Sequence, residues 1–374
     1  MRALFWIPVT LLAWAQAGYG LFLAALRRLG APAWAPPGPG SDRPRVTLVI
    51  AAYREEAVIA AKVANALALD WPRDRFEVIV AVDGGAEQGA DRTAEHARAA
   101  GADRVLELPR GGKYRAQDAA VRVAGGEVLA FSDANSMWEP DALAHLAGAF
   151  ADPRVGYACG QVRFVNDAGT NQEGLYWRYE MWLREHESAL ASVTAGNGAI
   201  YALRPDVYLP LEGHDLALPF NVVKRGRRAV YVPLARASEK MVPTVEGEWA
   251  RKRRMMTYAW PIVLRGGLLD PRGYEPLYAL MMGSHRLLRY AAPLLHVLAA
   301  VATLALLGRG RTYVAAAAVQ AATLAAALAG GRARSRPLLV ARYYVLTTAA
   351  LAAGLYDWLR HGTEVGWEAP EGTR

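Results

Sequence analysis

The 374-residue chain has one cysteine, Cys159. That excludes an internal disulfide and a cysteine zinc cluster, and it fits a thiol packed in the core of a protein from a reducing compartment. Charge is missing from long stretches. No charged side chain occurs between Ala3 and Leu26, and Arg27 and Arg28 follow at once. This run is long enough to cross a bilayer as one helix, and basic residues directly after it point the following domain toward the cytosol. The alternative is a cleavable signal peptide, for which Ala15-Gln16-Ala17 offers a small-residue cleavage site. The apolar run continues through Leu21, Phe22, Leu23 and Leu26, past the place where such a peptide would end. No internal repeat points to a solenoid. Hydrophobic residues make up 53% of the chain, which excludes a disordered protein.

Positive charge is in surplus, at a formal +8. It suits an anionic lipid surface, a phosphate-bearing substrate or nucleic acid, and does not choose among them. Five prolines between Gly30 and Pro44 end any helix and predict a semi-rigid linker over 30–44. A soluble domain is expected over 45–245. Val46 to Ala52 reads as a strand buried on both faces, and Glu55 to Leu69 as a helix. Strands at Phe76 to Val82, Val105 to Leu108 and Val128 to Phe131 alternate with helices at Asp91 to Ala100 and Tyr114 to Val123. The pattern predicts an α/β fold with a mostly parallel sheet and helices on both faces, ligands binding at the carboxyl ends of the strands.

After the domain, 246–288 mixes Arg251, Lys252, Arg253 and Arg254 with Met255, Met256, Trp260 and Leu264. That suits helices lying in the membrane interface, the alternative being an ordinary basic surface helix. Three transmembrane helices are expected over 289–360, at Tyr290 to Leu307, Thr312 to Gly330 and Leu338 to Tyr356, followed by a tail over 361–374. With the amino terminus outside, Arg332, Arg334 and Arg336 fall on the cytosolic side, and the outer loop carries only Arg309 and Arg311.

Apolar strands end repeatedly in polar residues, at Tyr53-Arg54-Glu55, Asp83-Gly84-Gly85 and Ser132-Asp133-Ala134-Asn135. One such carboxylate is commonly a helix cap or turn residue. Three at one sheet edge suit a nucleotide-sugar site, which needs an acceptor for the base, groups for the ribose and a divalent cation near the diphosphate.

On these motifs the chain resembles the family 2 glycosyltransferases, which have the GT-A (Rossmann-like) fold, here with one N-terminal and about three C-terminal transmembrane helices. Ala51-Ala52-Tyr53-Arg54-Glu55-Glu56 resembles the first family motif, with Arg54 in place of the usual Asn. The resemblance implies that Glu55, with Tyr53 and the Ala51 backbone, contacts the nucleoside, taken as uridine, and that Asp83 accepts from the base. The Gly85 to Gly89 stretch departs from the usual Asp-Gly-Ser-Thr-Asp. Gly111-Gly112-Lys113 resembles a segment that places the lysine near the diphosphate. Asp133-Ala134-Asn135 resembles the Asp-x-Asp signature that holds Mg or Mn, with Asn135 supplying a neutral ligand. Thr194 to Ala202 resembles the acceptor-side strand, with Gly196 and Gly198 allowing close approach. Glu212-Gly213-His214-Asp215 resembles the acidic pair that supplies the general base, Asp215, with His214 beside it. Arg251 and Arg254 keep the spacing of a Gln/Arg-x-x-Arg-Trp motif that clamps the diphosphate, and Met255 replaces the Trp.

The expected activity is inverting transfer from a nucleotide sugar, taken as a UDP-sugar, to a lipid-linked or glycan acceptor at the cytosolic face of the plasma membrane, among membrane lipids and possible as an oligomer. A processive synthase that exports its product and a membrane scaffold without activity are the alternatives, the latter favoured by Asn135 and Met255. Sugar nucleotidyl transfer lacks its glycine-rich loop, since Ala51 to Glu56 contains no glycine. No nucleic-acid partner is expected, because the basic residues lie beside membrane segments without an aromatic-lined groove.

Overall fold

The structure is a computed structural model that describes residues 1–40, 42–85, 91–165, 174–240, 245–332 and 335–363. Residues 86–89 of the Gly85 to Gly89 stretch, Arg334 and tail residues 364–374 therefore lie outside the described residues. The chain divides into two compact units.

One unit is largely helical, containing Met1–Ala25, Thr244–Leu264 and Ala279–Glu364. Its first helix runs as α1 (Arg2–Ala13), a π-turn (Trp14–Gly18) and α2 (Tyr19–Arg28), whose last residues pass into the other unit.

The second unit is an α/β domain. In chain order it contains β1 (Val46–Ala52), α3 (Ile59–Leu67), β2 (Phe76–Asp83), α4 (Thr93–Ala99), β3 (Arg104–Leu108), α5 (Lys113–Val121), β4 (Val128–Asp133), β5 (Met137–Trp138) and α6 (Ala142–Gly148). There follow β6 (Val155–Val165), α7 (Leu175–Leu190), β7 (Ile200–Leu203), α8 (His214–Lys224) and β8 (Arg228–Lys240). The strands form one sheet in the order β3-β2-β1-β4-β7-β6-β8-β5. β1 to β4 pair in parallel, whereas β7 runs antiparallel to both β4 and β6, and β5 antiparallel to β8. The sheet is therefore mixed. The expectation of a mostly parallel sheet came from the first half of the domain, where crossover helices enforce parallel pairing. Beyond Trp138, β6 and β8 again pair in parallel, and only β7 and the short β5 run against their neighbours.

Alternation along β1 explains the two-sided core. Leu48 and Ile50 pack with Ile59 and Val63 of α3 and with Leu143 and Leu146 of α6. Val49 points the other way, among Ala116 and Ala120 of α5 and Leu218 and Val222 of α8. Helices thus cover both faces, and each fully buried aliphatic side chain contributes about 1.5–3 kcal/mol. The 30–44 linker is held to this unit, as the Trp34 amide donates to the Ala189 carbonyl at 2.8 Å and its indole N–H to Asp152 at 3.2 Å.

The helical unit continues with α9 (Val245–Leu264), the end of α10 (Pro276–Met281), whose first residues to Tyr278 belong to the other unit, a second π-turn (Met282–Leu287), α11 (Leu288–Leu306), α12 (Arg311–Ala329) and α13 (Arg336–His361). Among the described residues four helices are long and apolar enough to cross a membrane: Arg2–Arg28, Pro276–Arg309, Arg311–Ala329 and Arg336–His361. The second starts at Pro276, inside the stretch expected to lie in the interface. Composition had hidden this start, because His285 and Arg286 interrupt the apolar run, yet both are buried in the helix packing. The two π-turns meet where the Trp14 indole donates to Ser284 at 2.9 Å. α9 packs on α13 through the Trp260 indole, which donates to the Leu351 carbonyl at 2.9 Å, and through Arg253, which pairs with Asp357.

Candidate active site

Parallel register brings the expected donor residues to one edge. Ala51 stands opposite Ala81 on one side and Asp133 on the other, so β1, β2 and β4 finish together. Tyr53 and Glu55 follow β1 and are 7% and 3% exposed. The Glu55 amide donates to the Thr93 hydroxyl at 2.8 Å, and that hydroxyl donates to Asp91 at 2.8 Å. Between them Arg54 has φ 53°, the one non-glycine residue with positive φ among the described residues. Asn tolerates this left-handed conformation better than Arg, a physical reason for Asn being usual at this place.

Asp83 ends β2 with 1% exposure. Its Oδ1 accepts from the amides of Gly111 (2.7 Å) and Gly112 (3.0 Å), and its Oδ2 from Arg110 (2.6 Å). The Arg110 guanidinium lies 3.4 Å from the centre of the Tyr53 ring. In this form the carboxylate expected to meet the base instead holds the loop that leads into α5. Arg110 is a site residue that the sequence reading missed, although it stands one position before the Gly-Gly-Lys segment.

That loop delivers Lys113, which makes an ion pair with Asp133 at the end of β4. Asp133 and Asn135 are both partly exposed in the turn after β4. A carboxylate already facing a cation, with an amide oxygen two residues on, is a donor set of the kind hard divalent cations accept. Among the described residues no group of three or more His, Cys, Asp or Glu side chains gathers to hold a metal, so other ligands would have to come from water and substrate.

The opposite wall is the Thr194 to Ala202 motif and the start of α8. The Gly196 amide donates to the Asp215 carbonyl at 2.6 Å. A Cβ placed on Gly196 would fall 1.9 Å from the Tyr157 hydroxyl, so only glycine fits. A Cβ on Gly198 would lie 3.8 Å from the Asp215 Cβ and 3.8 Å from Lys113 Nζ. The acidic residue, the lysine and, through it, Asp133 thus surround one small space. Asp215 lies in the first turn of α8, where the helix dipole favours a carboxylate. His214 turns away from that space. It is 1% exposed, lies 2.8 Å from the Tyr201 hydroxyl and packs among Tyr114, Phe131, Tyr201 and Tyr208. Burial, with the Lys113 charge second, holds its pKa at about 3, so it is neutral at physiological pH and supports Asp215 by packing. Cys159 is fully buried, and burial pushes its thiol up to about 11.

Arg251 and Arg254 belong to the helical unit, on α9. Arg251 donates two hydrogen bonds to Glu248, both 2.8 Å.

The model of the family described as Glycosyl transferase family 2 matches residues 47–204. Residues 47–204 are a glycosyl transferase family 2 domain. Its fold is GT-A, built here from the strand-end carboxylates and the Gly-Lys loop just described. Curated proteins similar to the chain include a beta-monoglucosyldiacylglycerol synthase from Trichormus variabilis, 29% identical over 168 residues, or 41% of this chain and 35% of that protein. An N-acetylglucosaminyltransferase from Mesorhizobium japonicum is 28% identical over 240 residues, 58% of this chain and 56% of that one. The chain therefore spans between a third and a little over half of the length of these relatives. A solved structure, a mannosyltransferase from Pyrobaculum calidifontis in complex with GDP-Man and Mn2+, is similar over 95% of this chain and 99% of that one, at 25% identity and a TM-score of 0.72. That likeness covers the membrane helices as well as the family 2 domain.

Proposed function

We propose that the chain is an inverting glycosyltransferase that moves one sugar from a nucleoside diphosphate sugar to a lipid-linked or glycan acceptor at the cytosolic face of the plasma membrane. The observation that carries this reading is the space at Gly198, bounded by Asp215 on one side and by Lys113 with Asp133 on the other. An inverting transfer needs little more at its centre. The acceptor hydroxyl attacks the anomeric carbon, its proton passes to the Asp215 carboxylate, and the bond to the diphosphate breaks on the opposite face. Lys113 stays on the diphosphate side and stabilises charge as it grows on the leaving oxygen. Asp133 and Asn135 would hold a divalent cation, Mg or Mn, whose charge neutralises the departing nucleoside diphosphate. Tyr53, Glu55 and Asp83 frame the nucleoside, with Arg110 displaced or rotated from Asp83 as the base arrives.

Two donors are favoured by different observations. The first motif supports a UDP-sugar, whereas the mannosyltransferase similar over nearly its whole length was solved with GDP-Man. The relative named for monoglucosyldiacylglycerol supports a lipid acceptor, as do four helices able to span a bilayer. The test of the chemical centre is Asp215→Asn. It is expected to lower transfer at least 100-fold while nucleotide affinity stays within about threefold, as measured by calorimetry; general-base loss costs on the order of 100- to 10,000-fold. Normal turnover in that variant would remove Asp215 as the base.

A further inference from the structure

Lys62 is a lysine in the core. It lies on α3 with no exposed surface, donates to the Ser136 carbonyl at 2.5 Å and stands 5.3 Å from the centre of the Trp138 ring. Lysine is almost never fully buried unless something pairs with it, and the step outlined above makes no use of it. Its position is informative. The Ser136 amide donates to the Asp133 carbonyl at 3.2 Å, so holding Ser136 holds the turn whose front carries Asp133 and Asn135. One turn further along α3, Asn65 already anchors the chain beyond that turn, giving one hydrogen bond to the Trp138 carbonyl and taking one from its amide, both 2.9 Å. A neutral amide therefore suffices as a mechanical anchor here. What Lys62 adds is charge. Asp133 and Glu239 both act on its ammonium, partly offsetting a burial penalty that brings its pKa down to about 7.

We propose that Lys62 is a positioning residue whose buried charge makes the Asp133–Asn135 turn take a divalent cation only together with the diphosphate of the nucleotide. The proposal rests on the reading of Asp133 and Asn135 as the cation side of the donor site. A lone dication at Asp133 meets Lys113 in front and Lys62 behind, with one carboxylate and one neutral amide to attract it. The diphosphate brings the negative charge that tips this balance, and both lysines then favour the anion. Metal and donor enter as one unit.

The test is binding of Mn2+ to the full-length protein in detergent, followed by the electron paramagnetic resonance of free Mn2+ at pH 6, where the ammonium is charged. It is run alone and with the nucleoside diphosphate, GDP or UDP, that shows saturable binding. Lys62→Met keeps the volume and leaves Asn65 in place. It is expected to bind Mn2+ alone about tenfold more tightly than the parent, the size set by one unit charge at close range in a partly screened interior. Lys62→Gln also removes the charge and can still donate to the Ser136 carbonyl, so it is expected to tighten Mn2+ in the same way and tests the idea even if Lys62→Met folds poorly. A purely structural role for Lys62 predicts a lower melting temperature with no tightening. Equal Mn2+ affinity in Lys62→Met and the parent, with Asp133→Ala losing nucleotide-supported Mn2+ binding, would overturn the role of Lys62 alone. Unchanged Mn2+ binding in Asp133→Ala with nucleotide present would overturn the cation site itself and the proposal with it.

Discussion

At the residue scale, the site depends on what is absent as much as on what is present. Gly198 leaves open the space that Asp215 and Lys113 face. Gly198→Leu is therefore expected to fold with the parent's melting temperature within a few degrees, yet to lower transfer at least 100-fold, read as product formed at saturating donor. Normal transfer would show that the reacting sugar lies elsewhere. Arg54 carries the reverse signature, a long side chain in a backbone conformation that suits Gly or Asn. Arg54→Gly or Arg54→Asn should stabilise the domain by about 1 kcal/mol, visible as a higher denaturation midpoint, because the left-handed conformation costs an L-residue about 1–2 kcal/mol. Lys62 makes stability depend on pH. Its folded pKa, about 7, lies below its unfolded value of about 10.4, so between these the unfolded chain binds more protons and its contribution to stability rises with pH. The melting temperature of the parent should gain more from pH 7 to pH 9 than that of Lys62→Met. Residue identities for this site were largely legible, because strand-end carboxylates follow recognisable apolar runs. Arg110 and Lys62 were not, since an arginine in a loop and a lysine on a helix read as solvated until the fold shows the first on Asp83 and the second in the core.

At the scale of elements, legibility followed burial. β1 was readable to its last residue because all seven of its residues are buried, giving a continuous β-branched and apolar run. β6 and β8, with 11 and 13 residues, are buried at one end and partly open at the other, so their pattern changes along their length. α7 was harder still. Glu180, Arg184, His186, Glu187 and Ser188 are all buried on it, which breaks the apolar stripe that marks a helix. This polarity has a use. The Glu187 carboxylate, 0% exposed, accepts from the Thr194 amide and hydroxyl, each at 3.1 Å, and so fixes the start of the Thr194 to Ala202 motif. Glu187→Ala should destabilise the domain by about 1–3 kcal/mol, the cost of leaving a buried donor unsatisfied. It should also raise the acceptor KM more than the donor KM. Equal changes in both would place the motif away from the acceptor.

At the scale of the molecule, the four helices apolar enough to cross a membrane and the basic residues that flank them predict an orientation in a bilayer. The single cysteine makes this measurable, since buried Cys159 offers no background to a maleimide. In intact cells Arg309→Cys, between α11 and α12, should react with a membrane-impermeant maleimide, whereas Ala99→Cys, exposed on α4, should react only with a permeant one. The reverse pattern would put the family 2 domain outside the cell, away from nucleotide sugars. We propose that this domain passes a sugar from a nucleotide to an acceptor in the membrane. The most direct test incubates membranes containing the protein with radiolabelled GDP-mannose, UDP-glucose and UDP-N-acetylglucosamine in turn, with Mn2+, and follows label into the organic phase. One donor should label lipid in parent membranes and not in Asp215→Asn membranes. No label from any donor in lipid or polymer, or equal label with and without Asp215, would contradict it.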